Sequence, residues 1–334
     1  MSHAFAVAHP NVALSKYWGK REGEGNFPAV PSLSVTLAGL QTRTTVQFDG
    51  ALEDDDVVLG DAPAAPGPRA RVVGLLDRVR AASRDERRAR VRSSNDFPTA
   101  SGLASSASGF AALALASVRA AGLDWTVEWV SDLARRSSAS AARSLFGGFV
   151  ELDAGAPGAP PETRLAARPL APADHLPLVV LVCVATEAAK AVGSSEGMRV
   201  TMSRSPYALA WLEQAPRLHE RLRGALLARD FAAVGELAEA SCLAMHASAL
   251  AAGVIYWNSV TVEVLGAIRA LRARGLAAFA SIDAGPHVKV LVHASDVASV
   301  REGLEGAPGL KRIIEARPGE GASLASGDGS GDRP

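Results

Sequence analysis

The sequence predicts an α+β fold in two lobes, on three observations. Short β-rich segments punctuated by turns fill the N-terminal third. Helical spacings then mix with strands that are both hairpin-like and crossover-connected, so a strict βαβ alternation does not fit. The 334 residues, 48% apolar and 21% charged, suffice for one large domain or two smaller ones around a sizeable core.

In chain order, 32–40 (SLSVTLAGL) and 42–48 (TRTTVQF) read as strands. The stretch 51–68 is acidic, then Ala/Pro/Gly-rich, and reads as a surface loop. In 69–82, Val72, Leu75, Leu76 and Val79 fall at helical spacing with Arg on the other face. A strand over 89–95 enters a turn at Phe97-Pro98, and a helix of small residues follows over 102–121. A second helix covers 126–136, and 149–152 is a short strand after Gly147-Gly148. The Gly/Pro-rich segment 153–161 opens the connection between the lobes, which divide into 1–175 and 176–318. The run 176–185 (LPLVVLVCVA) is the clearest buried strand. Helices follow near 195–202, 207–228, 231–251 and 260–274. Strands at 277–283 and 288–292 flank Gly285-Pro286, and 297–304 is a last short helix. The tail 319–334, rich in Gly, Ser and Asp, reads as disordered.

Several function classes are excluded. Lys+Arg and Asp+Glu both number 35, so the basic excess of a nucleic-acid binder is missing. Cys183 and Cys242 are too few for a disulfide framework and form no CxxC pair. The start lacks the charged and apolar regions of a signal peptide, and the best apolar run is too short to cross a bilayer. A soluble, cytoplasmic protein is expected. Only five residues are Lys (Lys16, Lys20, Lys190, Lys289 and Lys311), which leaves 35 − 5 = 30 Arg. Lysine is a compact point charge with a shiftable pKa, whereas arginine is a planar fork that stays charged. Where an Arg-rich chain keeps Lys, the site can need what Arg does not provide.

Four segments carry chemistry. In the first, 97–109 (FPTASGLASSASG), a Pro turn leads through Gly, Ser and Ala onto a helix. Free N–H groups and the positive dipole end at a helix start attract anions, and small residues let a phosphate approach the backbone. Neither GxGxxG nor GxxxxGK[ST] is present, and composition leaves open a helix kept small to pack closely on a sheet. In the second, Asn11, Lys16, Tyr17, Trp18 and Lys20 cluster on one strand-turn segment able to clamp an anion; the alternative is a strand end with a solvated basic face. The scarcity of Lys favours the clamp. In the third, Ser138, Ser140 and Arg143 can converge on a phosphate or carboxylate, although alone the segment reads as a polar connection. In the fourth, Asp283 precedes a Gly-Pro turn as a turn-forming residue or a catalytic base, and His287 reads as a turn or surface histidine. No HExxH or other two-His spacing for a protein-held transition metal occurs.

Together and in this order, the segments resemble the diphosphomevalonate decarboxylases of the GHMP kinase superfamily. The family's Asn-Ile-Ala-x-x-Lys-Tyr-Trp-Gly-Lys opening is found at 11–20 with Val12 for Ile, and its Ser-x-Asn-x-Phe-Pro-Thr-x-x-Gly-Leu-Ala-Ser-Ser-Ala loop at 93–107 without mismatch. Its Asp-Ala-Gly-Pro turn is at 283–286, its Ser/Thr-rich substrate loop at 192–198 and its Arg-Pro-Gly-x-Gly segment at 316–322. The chain departs from the family's Gly-Ser-Gly-Ser-Ala-Cys-Arg-Ser, with Ser137, Ala139 and Ala142 at the two Gly and the Cys, and has His287 where Asn is common.

The resemblance implies a GHMP kinase-like two-lobed fold: a ribosomal S5 domain 2-like N-terminal lobe, a ferredoxin-like C-terminal lobe and the active site in the cleft between them. It implies ATP-dependent decarboxylation of 5-diphosphomevalonate to isopentenyl diphosphate, with ADP, phosphate and CO2. Asp283, Lys16 and Arg143 would be catalytic, Asp283 taking or orienting the proton of the 3-hydroxyl. Asn11, Tyr17, Trp18, Gly19, Lys20, Arg71 (or Arg69), Ser138, Ala139, Ser140, Ala141, Ser194 and Ser195 would bind substrate. Asn95, Pro98, Gly102, Leu103, Ala104, Ser105 and Ser106 would hold ATP. Mg2+ would arrive with ATP, held mostly by phosphates and water, and the resemblance assigns it no ligands in the chain. A homodimer is implied. Sister readings are a phosphomevalonate decarboxylase, a mevalonate 3-kinase-like enzyme and a non-catalytic isoprenoid-phosphate binder.

Overall fold

Two sheets organise the chain, whose structure, a computed structural model, describes residues 3–23, 25–97, 105–188 and 191–325. The first part forms β1 (His3–Ala8), β2 (Asn11–Ser15), β3 (Ser32–Ala38), β4 (Thr42–Asp49), β5 (Asp56–Leu59), β6 (Ala62–Pro63), α1 (Pro66–Ser83) and β7 (Arg88–Asn95). Next come α2 (Ser105–Ala120), α3 (Val127–Ser137), a 3-10 turn (Ala139–Leu145), β8 (Phe149–Leu152) and β9 (Arg168–Ala171). The remainder is β10 (Leu178–Val184), α4 (Ser194–Arg204), α5 (Ala208–Leu227), α6 (Phe231–Ala251), α7 (Ser259–Ala273), β11 (Ala278–Ile282), β12 (Val288–His293), α8 (Val297–Glu305), β13 (Arg312–Pro318) and β14 (Ser323–Leu324). Mixed helix and sheet without βαβ alternation is the expected α+β class.

The first sheet runs β14-β1-β4-β7-β5-β6, antiparallel except for the parallel pair β5 and β7. Helix α2 lies on β1 and β4, and residues 110–118 are buried all round its circumference. A helix that is apolar on every side belongs in a core, and its alanines let it come close to the sheet. Both readings of the small-residue segment therefore apply to different parts of it: the body packs, while Ser105 and Ser106 at its start are left only partly covered or exposed.

The second sheet runs β11-β12-β10-β13-β3-β8-β9, with β2 paired to β3. All seven residues of β10 are buried between β12 and β13, as its unbroken apolar run predicts. Strand β13 then passes from β10 to β3, where Arg317 and Pro318 pair with Ala38 and Leu37. One sheet thus carries strands from both sides of position 175.

Two expectations are corrected. The stretch 51–68, expected as a loop, contains β5, β6 and the start of α1. Its four-residue strand is too short for a clear alternation, yet Val57 pairs opposite Val91, and Pro66 enters the first helical turn, where a missing N–H costs nothing. The tail expected to be disordered from 319 is placed up to 325, with β14 pairing onto β1. Its glycines serve close packing: a Cβ on Gly319 would lie 2.7 Å from the Ala38 backbone, and one on Gly321 2.5 Å from the Leu145 carbonyl oxygen. Residues 326–334 lie outside the described residues.

Candidate active site

Strands β2 and β11 end side by side and deliver the central pair. Lys16 follows β2 and is buried, at 2% exposure. Its Nζ donates to Asp283 Oδ1 and Ser281 Oγ, each at 2.7 Å, and to the Ala13 carbonyl at 2.9 Å. Three acceptors use all three ammonium protons. Lys289, on β12 and 1% exposed, sits opposite Ser281 in the ladder, and its Nζ lies 3.2 Å from Asp283 Oδ2. Burial alone would push the Asp283 carboxyl up. The ammonium groups of Lys16 and Lys289 outweigh that and hold it well below the usual carboxylate range. Burial pushes Lys289 down, and Asp283 opposes this.

Arg143, on the 3-10 turn, is also buried. Its Nε donates to Ser34 Oγ at 2.9 Å, Nη1 to Ser32 Oγ at 2.7 Å and Nη2 to Asn11 Oδ1 at 3.2 Å. Ser32 and Ser34 share one face of β3, as period-2 alternation requires. Asn11 in turn donates through Nδ2 to the Ser140 carbonyl and Ser144 Oγ. These three acceptors of the guanidinium are neutral, and burial pushes its pKa down to about 10. A desolvated cation held by neutral oxygens favours an anion beside it. The Tyr17 hydroxyl is buried with no hydrogen-bond partner among the described residues, and it lies in the field of Arg143, Arg135 and Arg71.

A cavity of about 720 Å3 opens over these groups. Its wall includes Asn11, Lys16, Tyr17, Trp18, Lys20, Arg71, Ser105, Ser106, Ser138, Ala139, Ser140, Arg143, Ser194, Ser195 and Asp283. The N-terminal turns of α2 and α4 both face it, through Ser105–Ser106 and Ser194–Ser195. Lys20 donates to Ser195 Oγ at 3.2 Å, and the Ser138 and Ser140 hydroxyls are 3.2 Å apart. Four cations (Lys16, Lys20, Arg71, Arg143) against two carboxylates (Glu196, Asp283) suit a polyanionic ligand. Glu196 is already paired with Arg199.

Arg69 and Arg71, left open by the sequence, part company. Arg71 reaches the cavity, donates to the Ser137 carbonyl at 2.8 Å and stacks 4.5 Å from the Phe110 ring centroid. Arg69 turns away to Asp54 at 2.7 Å. Three expected residues are not on the cavity wall. Gly19, at φ +106°, turns the chain between Trp18 and Lys20. Ala141 is fully buried in the N-terminal core. Asn95 ends β7 and accepts from Thr42 Oγ1. His287, expected at a turn or surface, is fully buried and accepts from the Ala185 N–H through Nδ1 at 3.1 Å. Pro98, Gly102, Leu103 and Ala104 lie outside the described residues. Lys289 was missed, although the scarcity of Lys pointed to it as much as to Lys16.

Two family models match the chain: a diphosphomevalonate decarboxylase-like N-terminal domain over 8–161 and a mevalonate 5-diphosphate decarboxylase C-terminal domain over 180–315. The chain is 34% identical to a phosphomevalonate decarboxylase of Haloferax volcanii, over 90% of its own length and 91% of that protein. It is 32% identical to a diphosphomevalonate decarboxylase of Candida albicans, over 87% and 84% of the two chains. Its structure resembles MDDEF in complex with MVAPP, AMPPCP and magnesium, with a TM-score of 0.88 and 36% identity over 97% of this chain and 98% of that one.

Proposed function

The chain belongs to the diphosphomevalonate decarboxylase family of the GHMP kinase superfamily, and from that premise we propose that its cavity carries out the ATP-dependent decarboxylation of 5-diphosphomevalonate to isopentenyl diphosphate. The observation that carries this reading is the ionised Asp283, held by buried Lys16 at 2.7 Å in a cavity that also presents Arg143 and two helix N-termini. Asp283 meets the tertiary 3-hydroxyl. A carboxylate held so far below its ordinary pKa is a poor resting place for a proton, so it orients the hydroxyl as its oxygen attacks the ATP γ-phosphorus. The O–H and the γ–β bridging P–O bonds break, ADP leaves, and the released proton passes to phosphate oxygen or solvent. The new 3-phosphate then departs with its C–O electron pair. Positive charge develops at C3, and the C–C bond to the carboxylate supplies the electrons of the new double bond as CO2 leaves.

The chain's task is positioning and charge neutralisation, which is most of what phosphoryl transfer asks of a protein. Ser105 and Ser106 at the start of α2 hold ATP phosphates. Arg143 and Asn11 face the substrate carboxylate, while Tyr17, Lys20, Arg71, Ser138, Ser140, Ser194 and Ser195 hold its diphosphate. No group of three His, Cys, Asp or Glu that could cage a metal occurs among the described residues. Mg2+ would come with the nucleotide, held mostly by its phosphates and water, and the Ser105 and Ser106 hydroxyls on the cavity wall are the side chains that would reach it. When bound, it would neutralise phosphate charge. A lobe division at 175/176 fits the spacing of the two family models. A cytoplasmic homodimer completes the proposal; among the described residues no helix is long and apolar enough to cross a membrane.

Release of ADP and CO2 from mevalonate, its 5-phosphate and its 5-diphosphate tests the reading. Turnover to both products with the 5-diphosphate is expected. The Haloferax relative favours one alternative, preference for the 5-phosphate, which the same assay detects. ADP without CO2 marks a 3-kinase, and no turnover on any of the three marks a binder. At the anion-binding end, Arg71→Ala is expected to raise KM for the phosphorylated substrate by about tenfold, roughly 1.4 kcal/mol, with kcat little changed. Arg69→Ala should leave both constants alone. Equal effects in steady-state kinetics would place neither arginine on the substrate.

A further inference from the structure

We propose that Lys289 is a positioning residue of the phosphoryl-transfer site, fixing through Oδ2 the Asp283 carboxylate that Lys16 holds through Oδ1. The inference rests on the reading of Asp283 as the group that meets the attacking hydroxyl. Lys289 lies within β12, whose neighbours Val288, Val290, Leu291 and Val292 are all buried and apolar. A lysine in such a run is costly unless its charge is paired. Packing alone would be served by another aliphatic residue.

The ladder explains where its head goes. Lys289 stands opposite Ser281 on β11, so both side chains leave the same face of the sheet. Ser281 Oγ accepts from Lys16 and donates to the Ala13 carbonyl. Asp283 follows two residues later, accepts a hydrogen bond from Lys16 at 2.7 Å on one oxygen and is ion-paired with Lys289 at 3.2 Å through the other. Two cations on opposite oxygens set the plane of the carboxylate as well as its charge. One cation would leave it free to rotate about Cβ–Cγ.

The groups that face Asp283 come from four elements: Lys16 beyond β2, Lys289 on β12, Arg143 on the 3-10 turn, and Cys242 and His246 on α6. Burial holds His246 near pKa 4 and pushes Cys242 up to about 11, so neither adds charge at neutral pH. Lys16, Lys289 and Arg143 therefore set the local field, with the two lysines in direct contact with the carboxylate. Asp283 must stay ionised to act, and its depressed pKa keeps it so into strong acid. Removing one ammonium raises that pKa back towards the ordinary carboxylate range.

The test is Lys289→Met, which keeps length and removes charge. The expected result is a fall in kcat of roughly 10- to 100-fold with KM for both substrates within about threefold. Unchanged kcat, or a fall in kcat matched by a rise in KM, overturns the proposal. Asp283→Asn, assayed alongside, separates the two readings. If it is inactive while Lys289→Met behaves as wild type, the role of Asp283 stands and that of Lys289 falls. If Asp283→Asn is active, the reading of Asp283 itself has failed. Thermal melts cover poor folding. Lys289→Met should destabilise the protein that contains Asp283 but stabilise the Asp283→Asn protein, where the buried ammonium has lost its counter-charge. Destabilisation of the same sign and size in both backgrounds would make Lys289 a packing residue.

Discussion

Asp283→Asn is expected to lower kcat by about a thousandfold, the order lost when a preorganised polar group at the reacting atoms is removed, while nucleotide affinity stays within a few-fold of wild type. Asn preserves the shape of the side chain and its place after β11. It removes the charge that receives Lys16 at 2.7 Å and Lys289 at 3.2 Å. Two buried ammonium groups then face a neutral amide whose NH2 end repels them, and the attacking hydroxyl loses its acceptor. The nucleotide should be little affected, because the start of α2 belongs to a different element of the wall. Single-turnover rates, titration with a fluorescent nucleotide and a thermal melt decide the matter. More than a tenth of the wild-type rate in a folded variant would remove Asp283 from the chemistry. A loss of nucleotide affinity in proportion to the rate would make its role structural.

The long helices were legible because long runs of good helix formers such as Ala, Leu, Glu and Arg stand without turn signals: the stretch 231–251 coincides with α6, and 207–228 brackets α5. Strand β10 declared itself by burial on both faces. What stayed hidden depends on distant pairing. Strand β13, RIIEARP, reads as a charged run ending in a Pro-Gly turn, and only β10 and β3 make it a strand. Strand β9 leans on β8 in the same way. At the site, ordered motifs brought out Asp283, Lys16 and Arg143, and the structure places all three on one cavity. Lys289 escaped because nothing in VKVLV says which face its second residue takes. That face is set by the register against Ser281. Of the four lysines among the described residues, Lys16 and Lys20 line the cavity, Lys289 touches Asp283, and only Lys311 stands elsewhere.

Lys16→Arg, conservative in charge, is expected to cost about a hundredfold in kcat and to lower the melting temperature, since overpacking a buried site typically costs about 1–3 kcal/mol. The ammonium sits at 2% exposure among the Ala13 carbonyl, Ser281 Oγ and Asp283 Oδ1, all within 2.9 Å. These acceptors surround a point and match three tetrahedral N–H bonds. A guanidinium is wider and donates only in its plane, so it satisfies at most part of the set and pushes Asp283 away from its second contact with Lys289. Lys20→Arg supplies the contrast. Lys20 is exposed, and its 3.2 Å bond to Ser195 leaves space for a larger head group, so less than a tenfold change in kcat/KM is expected. Comparing the two variants by kcat, KM and melting temperature separates geometry from charge. If Lys16→Arg keeps near-wild-type turnover, charge alone suffices beside Asp283, and the retention of lysine there in a chain of 30 arginines against five lysines is coincidence.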